Sequence, residues 1–152
     1  MRRRRAKGVA GSGRLRVSRL GALPAFFLSK LAVKNLTLPR EMPGLTAVHV
    51  KLPPRYAHAP IVHRRTAEWF LVLKGRGRGV IGSAVVQFRP GTIVFIPAGM
   101  AHQMSTGAGA LEILAIFTPP LDARRKDADI HAAAEPPRPR PHRRACFGGA
   151  RA

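Results

Sequence analysis

The most constraining feature of this chain is a series of short β-prone runs, cut at near-regular intervals by glycine and proline. The runs cover residues 45–52, 68–74, 79–81, 84–88, 92–96, 102–105 and 111–117. Between them stand Pro53-Pro54, Gly75-Arg76-Gly77, Gly82-Ser83, Arg89-Pro90-Gly91, Pro97-Ala98-Gly99, Gly107-Ala108-Gly109 and Pro119-Pro120. Each separator offers the positive-φ glycine or the φ-restricted proline that a tight turn uses. Closely spaced strands with no helical period between them predict an all-β antiparallel sandwich or barrel.

Side-chain parity gives a first view of the interior. Along 68–74, Glu68, Phe70 and Val72 share one face, and Trp69, Leu71 and Leu73 share the other. Both faces are largely apolar, so one is expected to line the interior and the other to meet a second layer or subunit. A carboxylate on an interior face is costly unless it is paired or bound to a metal. Glu68 therefore requires a partner.

Outside this region the patterning weakens. Residues 1–18 carry seven basic and no acidic residues and read as a flexible basic arm. Residues 19–44 form an N-terminal extension in which Leu20, Leu23, Phe27, Leu28 and Leu31 fit a short helix or an edge strand, with Pro24 weakening the helix. Beyond the 45–121 barrel, residues 122–152 are rich in Pro, Arg and Ala and are expected to stop packing.

The formal net charge is +20, from 27 Lys+Arg against 7 Asp+Glu. Such a charge attracts polyanions non-specifically. The chain has no zinc-finger spacing, basic-region heptads or aromatic RNA-binding signature, so nucleic-acid binding by the tails ranks well behind the other readings. Cys146 is the sole cysteine, which excludes an intramolecular disulfide and suggests a reducing, cytoplasmic setting. No apolar run reaches the length of a spanning helix, so no membrane partner is expected. Pro24 and Lys30 interrupt the apolar stretch that could otherwise read as an export signal.

Two stretches bear on function, and a third misleads. Gly77-Arg78-Gly79-Val80-Ile81-Gly82 matches the glycine spacing of a dinucleotide fingerprint, but that fingerprint needs a following helix. A β-like run follows instead, and no nucleotide is expected. The informative stretches are His63-Arg64-Arg65-Thr66-Ala67-Glu68, with Gly75 beyond it, and Gly91-x5-Pro97-Ala98-Gly99-x2-His102.

On these residues the chain resembles the cupin superfamily, whose motifs run G-x5-H-x-H-x3,4-E-x6-G and G-x5-P-x-G-x2-H-x3-N. The second motif is matched except at its last position, where Thr106 stands for Asn. The first is matched from its second histidine, His63, onward; Ile61 occupies the position of the first. The resemblance implies a single cupin-type antiparallel β-barrel, jelly-roll-like, with the motif residues facing its mouth. It also implies a divalent metal (Fe, Mn, Ni or Zn) on His63, Glu68 and His102, with His58 as a candidate to replace the ligand missing at Ile61. By parity and loop position, Phe70, Phe95 and Met104 are the candidate apolar walls of the pocket, and Arg55 and Tyr56, on the loop entering the first motif, are the candidates to meet an anionic or hydroxylated ligand. A homodimer anchored by Trp69 is a further expectation. The functions implied are a metal-dependent dioxygenase, isomerase or decarboxylase, or else a metal-free small-molecule binding or sensor barrel.

Overall fold

A computed structural model of the chain describes residues 15–121 and 127–130. Its elements are a 3-10 turn at Leu20–Ala22 and nine strands. In chain order these are β1 (Phe26–Leu28), β2 (Leu31–Asn35), β3 (Thr46–Leu52), β4 (Ile61–His63), β5 (Ala67–Ile81), β6 (Ala84–Phe88), β7 (Ile93–Ile96), β8 (His102–Thr118) and β9 (Ala128–Ile130). Every pairing is antiparallel.

Two long strands organise the barrel. β5 has 15 residues and β8 has 17, and they pair with each other along most of their length. The N-terminal half of β5 and the C-terminal half of β8 belong to one layer, flanked by β7 on one side and β3, β2 and β1 on the other. The other halves of the same strands form the second layer, with β6 beside β5, and β4 and β9 beside β8. Register shifts between Val72 and Lys74 and between Gly75 and Gly77 bend β5 from one layer into the other.

This corrects the sequence reading of Gly75-Arg76-Gly77 and Gly107-Ala108-Gly109 as turns: both lie inside long strands. At Gly75 the backbone has φ +85°, and a β-carbon there would collide with the Ala110 carbonyl. The glycine thus serves a bulge and a close strand approach. The Gly77–Gly82 segment runs from strand β5 into the turn before β6.

The core lies between the layers. Phe70, Leu111, Ala115, Val72 and Leu52 are almost wholly buried, and Phe70 meets Phe88 of the opposite layer edge-on at 5.4 Å between ring centroids. The parity expected along β5 holds: Glu68, Phe70 and Val72 are buried, whereas Leu73 on the other face is exposed.

On the N-terminal flank, the 19–44 segment takes the strand alternative of the sequence reading: β1 forms the sheet edge and β2 lies between it and β3, with a 3-10 turn before them. The end of the basic arm is tethered, because the Arg16 guanidinium makes paired contacts of 2.8 Å with the Glu41 carboxylate and donates to the Leu36 carbonyl. Beyond Pro120, strand β9 pairs with β4, so part of the segment expected to stop packing joins the sheet. Residues 1–14, 122–126 and 131–152, with most of the tails' charge and Cys146, lie outside the described residues.

Candidate metal centre

The site is assembled from three strands and both layers. His63 ends β4, Glu68 is the second residue of β5, and His102 opens β8. Glu68 is 5% exposed and His102 3%, while the His63 side chain keeps 13% exposure and forms the accessible edge. The Gly91–His102 stretch follows local turn chemistry. Gly99 takes φ +82°, and its N–H donates to the His63 carbonyl at 2.7 Å, joining the turn before His102 to the strand that ends in His63.

One ligand atom from each of His63, Glu68 and His102 lies within 4.8 Å of the other two. His102 Nε2 is 3.2 Å from Glu68 Oε2, and His63 Nε2 is 3.9 Å from the same oxygen. The imidazoles of His63 and His102 lie 5.4 Å apart at 34°, and His63 stands edge-on to Phe117 at 5.6 Å.

The hydrogen bonds define what this cluster can hold. His102 Nδ1 faces the Met100 carbonyl at 3.3 Å and so carries a proton toward it. In the neutral ring, Nε2 would then turn a lone pair toward a carboxylate. A second proton on Nε2 relieves that opposition, and so does a cation held between the two groups. Burial lowers the His102 pKa, but the Glu68 hydrogen bond and charge, with the Met100 carbonyl, outweigh it and hold the ring above its ordinary value. His63 goes the other way: burial lowers its pKa despite the Glu68 charge, and neighbouring His102 adds to the effect. The cluster thus combines one imidazole held as a base with another that attracts a positive charge.

These residues fit a divalent ion. Ligands about 2.0–2.2 Å from a metal stand about 2.8–3.6 Å from one another in tetrahedral or octahedral geometry. The His102–Glu68 separation falls within that span, and His63 would need to close in by about an ångström. Two imidazoles and one carboxylate suit Fe(II), Mn(II), Ni(II) or Zn(II) and leave coordination positions open.

The structure separates the remaining candidates. His58 does not replace the missing ligand. Its Nδ1 donates to the Ala59 carbonyl at 2.7 Å, and its Nε2 accepts the Met104 N–H at 3.0 Å. Both nitrogens are committed, and burial lowers the ring's pKa, consistent with a neutral structural imidazole. Ile61 shares strand parity with His63 and pairs with His102, so an aliphatic side chain stands at the position of the absent histidine.

Phe95 is 62% exposed on the outer face opposite Trp69, which removes it from the pocket. Phe70 belongs to the core, and half-buried Tyr56 packs against that core. Buried Met104 follows His102 on the inward parity of β8 and remains the apolar neighbour of the cluster. Arg55 is exposed, and its N–H donates to the Gly107 carbonyl, five residues along β8 from His102. At about 3.3 Å per residue this sets its backbone about 16 Å from the start of β8.

Thr106, which stands where the motif has Asn, fastens the loop bearing these residues. Its hydroxyl donates to the Pro53 carbonyl at 2.6 Å and accepts the Tyr56 N–H at 3.0 Å. The sequence reading missed Asp127 beside His63; a carboxylate in a charged tail carried no local signal of that position.

A two-layer antiparallel barrel with two histidines and a glutamate gathered at one mouth defines a small jelly-roll protein with a candidate metal centre. Residues 48–117 match the family model described as the cupin domain. The barrel of this chain is a cupin domain.

An uncharacterized protein of Streptomyces coelicolor is 34% identical over 53 residues, which cover 35% of this chain and 50% of that one. The chain thus matches half the length of this curated relative. A predicted oxalate decarboxylase of Thermotoga maritima superposes with a TM-score of 0.64 at 21% identity, over 68% of this chain and 99% of that one. The polyketide cyclase RemF of Streptomyces resistomycificus gives 0.68 at 16% identity, over 82% and 90% of the two chains. At these identities the likeness is one of fold.

Proposed function

We propose that the barrel is a small metal-dependent enzyme of the decarboxylase, isomerase or dioxygenase classes, acting on a small oxygen-bearing organic molecule. The observation that carries this reading is the 3.2 Å approach of His102 Nε2 to Glu68 Oε2 while His102 Nδ1 is committed to Met100. His63 closes the group within 4.8 Å. The neighbours described as a predicted oxalate decarboxylase and a polyketide cyclase support a small oxygen-bearing substrate.

His63, Glu68 and His102 would hold the metal, which when bound supplies Lewis-acid stabilisation of a developing oxyanion. His63, at the open edge, orients the incoming molecule. Met104 and Phe117 keep water from the inner side, and the Met100 carbonyl fixes the His102 tautomer. Reconstitution with Fe(II), Mn(II), Ni(II) and Zn(II), followed by metal analysis, tests the reading. One ion per chain that is lost in His102→Ala is the expected result; substoichiometric binding indifferent to that substitution refutes it.

A metal-free binding or sensor barrel is the second reading, favoured by Ile61 at a ligand position and by the raised His102 pKa, which lets a proton stand in for the metal. It predicts thermal stabilisation by small molecules and no response to chelators.

Under either reading we propose a homodimer through the outer face. There Trp69 lies opposite Phe95 and Leu71 opposite Ile93, and both Phe95 and Ile93 are 62% exposed. Among the described residues, no helix is long and apolar enough to cross a membrane.

A further inference from the structure

The strand that carries His63 is held from outside by the C-terminal segment. β9 pairs with β4 through Ile61–Ile130, Val62–Asp129 and His63–Ala128. Just before β9, the Asp127 carbonyl accepts the Arg64 N–H at 2.9 Å, and Asp127 Oδ1 accepts the Arg65 N–H at 3.0 Å. One carboxylate oxygen thus caps the turn that leaves β4 toward Glu68. The other points elsewhere.

Among the described residues, two buried side-chain polar atoms lack a hydrogen-bond partner: His63 Nδ1 and Asp127 Oδ2. They belong to residues brought together by one strand pair, since Asp127 directly precedes the partner of His63. Leaving either atom bare is costly, and the two are complementary, one a carboxylate acceptor and the other a ring nitrogen that can donate. A rotation of the Asp127 side chain that brings Oδ2 to Nδ1, or a single bridging water, would satisfy both atoms.

We propose that Asp127 is a positioning residue for the candidate metal centre, accepting the His63 Nδ1 proton directly or through one water, so that His63 Nε2 is left free to face Glu68. Metal-binding histidines gain orientation and basicity when the second nitrogen donates to a carboxylate. The C-terminal strand then does more than extend a sheet: it delivers the group that sets the tautomer of the most exposed ligand. The metal part of this proposal rests on the function proposed above. The tautomer part does not.

The test uses the full chain, without metal, by nitrogen-15 NMR of the imidazole rings, beside Asp127→Asn. Asparagine keeps an oxygen for the Arg65 N–H and replaces the second oxygen with a donor. His63 is expected in the Nδ1–H form in the native protein, moving toward Nε2–H in Asp127→Asn. Titration with Zn(II) or Mn(II) is expected to show about 10–100-fold weaker binding in the variant.

The same His63 tautomer in both proteins, or an Nε2–H form in the native one, overturns the proposal. So does equal metal affinity where the native chain binds metal. If neither protein binds metal, the function proposed above fails while the tautomer comparison still decides the role of Asp127. Should the substitution release β9, seen as lost amide protection at residues 128–130, the native His63 spectrum decides: Nδ1–H with slowed exchange supports the proposal, and Nε2–H overturns it.

Discussion

The interior of the barrel has two unlike ends, both built from β5 and β8. Toward the middle, Phe70, Val72, Leu111, Ile113 and Ala115 are packed with no polar atom among their side chains. At the mouth lie Glu68, beside Phe70 on the same face of β5, and His102, which opens β8, with His63 and His58 beside them. The first end contributes burial energy, roughly 1.5–3 kcal/mol for each large apolar side chain. The second buries ionisable and polar groups, whose desolvation costs stability. The lesson is a division of labour: a closed apolar end lets the mouth retain groups that a packing-optimised core would have replaced.

The sharpest way to break this comparison is to damage the closed end. Phe70→Ala removes a side chain with no exposed surface and its edge-on contact with Phe88. A loss of about 3–5 kcal/mol in denaturant-derived stability is expected. A loss under about 1 kcal/mol would show that the two ends do not differ as described.

At the mouth the same measurement should behave differently. Glu68→Gln retains the side chain's volume and an oxygen that accepts from His102 Nε2–H, but removes the charge. Metal-free stability at neutral pH should change by about 1 kcal/mol or less, while one-to-one metal binding is lost. Retained metal binding would remove Glu68 from the ligand set.

The histidines also set opposite pH limits. The folded pKa of His102 is raised, so its stabilising contribution is full below the ordinary value of about 6.5 and is lost as pH rises through the folded value. His58 and His63 are lowered by burial, so acidification below about 6.5 favours the unfolded chain, whose histidines bind protons first. The chelator-treated protein should therefore be most heat-stable near pH 6.5, and Glu68→Gln should flatten the alkaline side. A melting temperature that keeps rising through that side in the native protein would contradict the assignment.

The smallest effect is expected outside the barrel. Phe95→Lys alters a mostly exposed side chain and should shift monomer stability by about 0.5 kcal/mol or less. If the outer face joins two copies, the substitution should convert a dimer to a monomer in sedimentation. An unchanged dimer would move the interface elsewhere.

Much of the site was legible because its determinants are local. Turn residues from Gly91 to Gly99 set up the approach to His102, and alternation along 68–72 placed Glu68 inward with Phe70. The outward position of Phe95 is not legible in the sequence, because residues 93–96 are uniformly apolar and parity there contains no inside-or-outside signal. His58 looked available because its two hydrogen bonds come from a neighbouring carbonyl and from β8, and the latter exists only after folding.

The sequence by itself determined the strand-forming character of the central region, the inward parity of Glu68 and the spacing that carries the cupin resemblance, since alternation and turn propensity act over a few residues. Tertiary structure alone decided that the glycines at 75–77 bend a continuous strand, that His58 is spent on structure, and that Asp127 lies beside His63. Each of these depends on which distant backbone comes near, and no local preference encodes that.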